Sequence, residues 1–202
     1  MIKILLCSNS SLKEQAVKKW LKIYVKEIFE IDKYKINDKL LPPQPMNNGG
    51  KLSCSDRILN VKKEIDSSIY NYIISIESSL NIEDSKIFDI VNICIENCNT
   101  LEKFEHTGQE IEINYKIMEK YPAFLKIIED LYVNYKETYK NYIYDGSEMT
   151  IGEIINHYYP EIPDNNWMKF ICNVDRTSQI TKGLCQLTKK IKDDYSINKK
   201  KI

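Results

Sequence analysis

Close to the amino terminus, the run Ser8-Asn9-Ser10-Ser11 stands between an apolar stretch, Ile2 to Cys7, and a helically periodic segment that carries Lys13. A strand, a polar turn and a helix start in that order gather backbone N–H groups and a lysine charge around one point, which suits a phosphate. Ser8, Asn9, Ser10 and Lys13 are therefore candidate anion ligands, although a simple capped helix uses the same residues. Two arginines add to the set. The basic residues are otherwise all lysine, and Arg57 and Arg176 stand alone in a chain rich in Lys, Ile, Asn and Tyr. That bias reads as drift in AT-rich coding sequence, such as that of a parasite or a large DNA virus. An arginine retained under such drift offers a planar bidentate fork that lysine cannot imitate. Each is a candidate for anion recognition, with a structural ion pair as the alternative.

Two carboxylates complete the constellation. Glu77 closes an apolar run, Tyr72 to Ile76, where side chains enter the crevice at a sheet's carboxyl edge, and Asp38 opens a proline-rich loop. Together they could hold Mg²⁺. Cations that neutralise phosphates, beside carboxylates that hold a metal, are what phosphate chemistry on nucleotides requires.

The elements that must position these groups follow from periodicity. The spacing predicts a strand over Ile2 to Cys7, then a helix with Leu12, Ala16, Val17, Trp20, Ile23, Tyr24 and Ile28 on its apolar side and a Ser11/Glu14 capping box. A second strand is expected over Glu30 to Ile36. The stretch Asp38 to Lys51, with three prolines and Asn47-Asn48-Gly49-Gly50, reads as a loop. A helix is expected over Ser53 to Asp66, with Arg57 off its apolar stripe. Two antiparallel strands should follow, Tyr72 to Glu77 and Ile87 to Ile95, joined by a polar turn over Asn81 to Lys86, with a further strand near Leu101 to Phe104. The later part reads as helical and Tyr-rich over about 112–160. It includes a helix over Glu112 to Lys120 and one after Pro122 that carries Phe124, Ile127, Ile128, Leu131, Tyr135 and Tyr142. Trp167 to Val174 reads as a last strand. A closing helix from Thr177 carries Ile180, Leu184, Leu187 and Ile191, with a frayed lysine tail. The expectation is one α/β domain spanning 1–202.

Composition sets the outer limits. With 29 Lys+Arg against 29 Asp+Glu, the 202-residue chain has no formal net charge, which argues against an extended nucleic-acid surface or a membrane-surface patch. No apolar run approaches the roughly 20 residues that span a bilayer, so an intracellular location, in the cytoplasm, is expected. The six cysteines are scattered without metal-knuckle spacing and read as buried thiols rather than a disulfide framework.

The motifs also resemble a known family. The order Ser8-Asn9-Ser10-Ser11-Leu12-Lys13, Gln44-Pro45, Asp56-Arg57-Ile58-Leu59-Asn60-Val61-Lys62, Ile76-Glu77-Ser78-Ser79-Leu80 and Asp175-Arg176-Thr177 is similar to the inosine/xanthosine triphosphatases. These open with a T/S-x-N-x-x-K loop, carry a Q-P segment and an A-x-N-R-A-like helix, end a strand in I-E-G-G-I and place T-R before the last helix. The resemblance implies an α/β fold with a central mixed, twisted sheet flanked by helices, two-lobed around a cleft. It also implies Mg²⁺ dependence, with Mn²⁺ as a substitute, a homodimer, and hydrolysis of noncanonical purine nucleoside triphosphates, ITP and XTP, as nucleotide-pool cleansing. Ser8, Asn9, Ser10, Lys13, Arg57 and Arg176 would contact substrate, Lys13 and Glu77 would be catalytic, and Asp38 and Glu77 would hold the metal. If the source is a virus, the location would be the host cytoplasm. The chain departs from the family where Ser78-Ser79 replaces two glycines and where Met46-Asn47-Asn48-Gly49-Gly50-Lys51 follows Gln44-Pro45. Those departures suit a second expectation, a degenerate member that binds a nucleotide or a protein without hydrolysis.

Overall fold

A computed structural model of the chain describes residues 1–24, 28–35, 41–83, 86–113, 119–136 and 145–199. Its frame is a six-stranded mixed sheet in the order β2-β1-β4-β5-β6, with β7 also paired to β5. β1 (Ile2–Leu6) lies parallel to β2 (Phe29–Lys33), Ile4 opposite Ile31, and parallel on its other side to β4 (Tyr72–Glu83), Leu6 opposite Ile74. β4 and β5 (Lys86–Asn97) form a twelve-residue antiparallel hairpin from Tyr72 opposite Asn97 to Glu83 opposite Lys86. β6 (Lys103–Thr107) and β7 (Ile111–Ile113) share β5 as neighbour, and between them Gly108 N donates to Val91 O at 2.8 Å.

Helices cover both faces. α1 (Ser11–Tyr24) buries Ala16, Val17, Trp20 and Leu21, a helical stripe that packs against α6 (Arg176–Lys199). The facing stripe on α6 is Ile180, Leu184, Leu187 and Ile191, each buried side chain contributing about 1.5–3 kcal/mol of transfer free energy. Trp20 Nε1 donates to Thr188 Oγ1 at 3.0 Å, which satisfies the indole within this core. α2 (Gly49–Glu64) takes the opposite face, where Cys54, Ile58 and Val61 meet Leu5, Cys7 and Ile73.

The α1/α6 face of the hairpin carries two cores in succession. Tyr72, Ile74 and Ile76 with Ile95, Ile93 and Val91 belong to the α1/α6 core, and Leu80 with Ile87 belongs to a second one. The second core is built by α3 (Phe124–Val133), α4 (Ile151–Tyr158) and α5 (Trp167–Ile171), with Ile127, Leu131, Ile154 and Met168 at its centre. A small antiparallel sheet, β3 (Gln44–Pro45), β9 (Gly146–Ser147) and β8 (Tyr135–Lys136), braces this part. The architecture is α/β with a mixed sheet flanked by helices, as expected.

Several elements differ from the sequence reading. β2 stops at Lys33, and Ile36 lies outside the described residues. α2 starts at Gly49, so the glycine pair is helical: a Cβ on Gly50 would stand 2.3 Å from Ser79 Oγ, and the residue is small for contact, not for a turn. Of the helix expected over Glu112 to Lys120, Glu112 and Ile113 belong to β7, where Ile111 and Ile113 continue the alternation against β5, residues 114–118 lie outside the described residues, and Glu119 and Lys120 are helical. α3 ends at Val133, Tyr135 sits in β8, and Tyr142 lies outside the described residues, so the Tyr-rich region is only partly helical. Trp167–Ile171 is helical and not a strand, with Trp167, Met168 and Ile171 buried at helical spacing. α6 holds its helix through Asn198 and Lys199, and Lys200 and Lys201 lie outside the described residues.

One glycine carries much of the second core's closure. A Cβ on Gly152, in the first turn of α4, would lie 2.0 Å from Asp164 O, so the two backbones meet there. Gly152→Ala is expected to cost about 1–3 kcal/mol, because neither backbone can yield without shifting its element. Denaturant unfolding of the variant beside the wild type measures it, and an unchanged midpoint would refute the close approach.

Candidate active site

The sheet order makes the carboxyl end of β1 a topological switch point, since the chain leaves β1 for β2 on one side and returns to β4 on the other. Open α/β sheets place ligands in the crevice at such a point. β1 stops at Leu6 while β4 runs on to Glu83, so the side of β4 beyond Ile74 is left without a β1 partner. Glu77 stands there. The residue is in mid-strand, opposite Asn92, and not at a strand end as the sequence suggested; the strand that ends at this level is β1.

The turn before α1 is tightly built. Ser8 N donates to Leu6 O at 2.7 Å, Ser10 N to Ser8 Oγ at 3.1 Å, and Lys13 N lies 3.5 Å from Ser10 Oγ. Ser10, and not Ser11, therefore stands at the cap, and the expected Ser11/Glu14 box is absent because Glu14 spends its carboxylate on Lys18 and Lys33. Asn9 is exposed. Lys13 turns inward, its Nζ 3.0 Å from Glu77 Oε1, and Arg57 Nε on α2 lies 2.8 Å from the same oxygen. Burial alone would push the Glu77 carboxyl up, but the charges of Arg57 and then Lys13 outweigh it and hold the group below the usual carboxylate range. The result is an ionised carboxylate inside the protein. The neighbouring Cys7 and Cys54 thiols are pushed far up by burial, so they are inert packing groups, as expected of the cysteines.

Arg176 takes the structural alternative left open for it. Its guanidinium forks onto Asp89, Nη2 to Oδ2 at 2.8 Å and Nη1 to Oδ1, and Nη1 also donates to Gln179 Oε1 at 2.8 Å. Asp89 is 1% exposed. It is the charged group that sequence reasoning missed, and the signal was present: Asp89 and Ser78 are the polar positions on an otherwise apolar stripe of the hairpin, between its two cores.

A cavity of about 310 Å³ opens at that interruption. One wall holds Ser10, Lys13, Glu77, Ser78, Asp89 and Arg176; the other holds Gln44, Ile151, Asp164, Asn165 and Trp167. Gln44 ties the walls together, its Nε2 donating to Ser78 O at 3.3 Å and its Oε1 accepting from Ile151 N at 3.2 Å. Thr150 and Glu153 cap α4 reciprocally, so that helix start is satisfied from within. Ser78 and Ser79 do not both face the cavity. Ser79 is turned under Gly50 and accepts from Asn92 Nδ2 at 2.9 Å, and only Ser78 lines the space.

Of the expected site residues, the structure brings Ser10, Lys13, Glu77 and Arg176 to the cavity. Arg57 approaches Glu77 from the α2 side, and Asp38 lies outside the described residues. Lys13 and Arg57 share the Glu77 oxygen, and among the described residues there is no group of three or more His, Cys, Asp or Glu that could hold a metal ion. Among these residues no helix is long and apolar enough to cross a membrane.

No protein-family model matches the chain, and no curated protein matches it at a significant level. Among solved structures, the fold is similar to that of protein VC0702 from Vibrio cholerae, at 12% identity and a TM-score of 0.59, over 91% of each chain. That likeness shows a shared fold across nearly the whole length of both proteins.

Proposed function

We propose that the chain hydrolyses nucleoside triphosphates in this cavity, with the noncanonical purine nucleotides ITP and XTP as substrates. The observation that carries the reading is the pairing of Lys13 with a buried, ionised Glu77 at the sheet's switch point, facing a cavity. The motif resemblance supplies the substrate class. In this reading Lys13, with the Ser8–Ser10 turn, neutralises phosphate oxygens. Glu77 orients the attacking water, its lowered pKa favouring a hydrogen-bond acceptor over a proton store. The bond from water oxygen to phosphorus forms as the anhydride oxygen leaves with its electron pair, and the water's proton passes to the phosphate products. Mg²⁺, or Mn²⁺, enters with the nucleotide as part of the substrate and spreads the charge of the phosphate oxygens. A cytoplasmic homodimer belongs to the same reading.

One observation favours the binding-only alternative: the charges of the cavity wall already have partners, Lys13 with Glu77 and Arg176 with Asp89, and Arg57 reaches Glu77 from the α2 side. Phosphate release from ITP, XTP, dITP, GTP and ATP, with Mg²⁺ and with chelator, separates the two. Metal-dependent release that favours ITP or XTP over ATP by about 10-fold or more is expected. Calorimetric binding without release would transfer the case to the binding-only reading, and neither binding nor release would overturn both.

A further inference from the structure

The two cations on Glu77 are not equivalent. Lys13 lines the cavity, is 19% exposed and ends in a compact ammonium on a flexible stem. Arg57 is 11% exposed and reaches the same oxygen from α2, on the face of the sheet where Cys54 and Ile58 pack. An anion entering the cavity therefore meets Lys13 first, while Arg57 stands behind the carboxylate. Beside Glu77 stand the uncharged thiols of Cys7 and Cys54 and, opposite it on β5, Asn92, whose amide pairs with Ser79.

We infer that the shared carboxylate is a place of exchange: Lys13 leaves Glu77 for the phosphate of the incoming ligand, and Arg57 remains as the positioning residue that keeps Glu77 charged and in place. This rests on the phosphate-ligand part of the proposed function and reassigns Arg57, which the motif resemblance placed on the substrate. Without Arg57, the departure of Lys13 would leave a carboxylate buried with no counter-charge, which a protein interior does not tolerate. With it, the Lys13 charge can be spent on the ligand while the Glu77 geometry is conserved.

The test uses inorganic triphosphate as the probe, with calorimetry on the wild type, Lys13→Met, Arg57→Met and Arg57→Lys, each first shown to be folded by circular dichroism. If Arg57→Met does not fold, Arg57→Gln replaces it. Lys13→Met is expected to weaken triphosphate binding by about 10–100-fold, the loss of a charge-assisted contact. Arg57→Met or Arg57→Gln should also weaken binding by about 10-fold or more, because Lys13 is then held on Glu77 as its counter-charge, and Arg57→Lys should recover part of the affinity. A loss of affinity in Arg57→Met that persists when Glu77→Gln is added would place Arg57 on the ligand and overturn the division, as would wild-type affinity in Arg57→Met or no binding by the wild type. If the wild type binds triphosphate but hydrolyses no nucleotide, hydrolysis fails as the function while the two affinities still decide the exchange.

Discussion

Arg176→Met is expected to destabilise the protein by about 3–5 kcal/mol, because it strands a buried carboxylate whose fork partner has gone. Asp89 is 1% exposed and receives both arms of the guanidinium, and Arg176 also holds Gln179 in the first turn of α6. For a chain of this length, each kcal/mol moves the thermal midpoint by about 2–4 °C, so the loss is easily measured. Two features make the result specific. Adding Asp89→Leu to Arg176→Met should return most of the stability, since an apolar pair of similar volume can replace a buried ion pair at little cost. The position also joins the two cores of the hairpin face, so Arg176→Met should loosen both. A stable, fully folded Arg176→Met that has lost only nucleotide affinity would return Arg176 to the substrate-contact role its motif suggested.

This residue also shows where the sequence was legible. The strand, turn and helix at the amino terminus and the α6 stripe from Ile180 to Ile191 could be read because a period of 3.6 or an unbroken apolar run is local information. The Glu77 assignment combined a correct placement at the switch crevice with a wrong reason: β4 does not end there, and only the pairing with β1 reveals which strand does. Trp167–Ile171 and the start of the expected helix at Glu112–Ile113 differ from the sequence reading because short apolar segments satisfy both periods, and tertiary contact chose between them. Gly50 carried a turn signal yet serves as a packing notch for Ser79, which no single-chain pattern distinguishes. Thr150 and Glu153 carry the same S/T-x-x-E spacing as Ser11 and Glu14 and do form a capping box, at the start of α4. Arg57 was recognised as chemically special, but its partner, 20 positions away on another element, is a fact of packing.

Glu77→Gln should produce the second large effect, and it acts on activity and stability together. In the proposed reaction the amide cannot orient water as the carboxylate does, and turnover of ITP should fall by about 10²–10⁴-fold. The same change leaves Lys13 and Arg57 facing each other around a neutral group in a buried site, at a cost of about 3–5 kcal/mol. Because the folded-state pKa of Glu77 lies below the usual carboxylate value, the stability it contributes is present above that usual value. It is lost as the pH falls through the lowered one. The gap between wild type and Glu77→Gln, read by denaturant unfolding, should therefore be widest at neutral pH and close below the ordinary carboxylate range. Adding Lys13→Met to Glu77→Gln removes one of the two opposed cations and should recover part of the stability at neutral pH, but none of the turnover. Were the folded Glu77→Gln protein to hydrolyse ITP as the wild type does, Glu77 would be only the counter-ion that holds α1 and α2 against β4, and the water-orienting group would have to be sought elsewhere in the cavity.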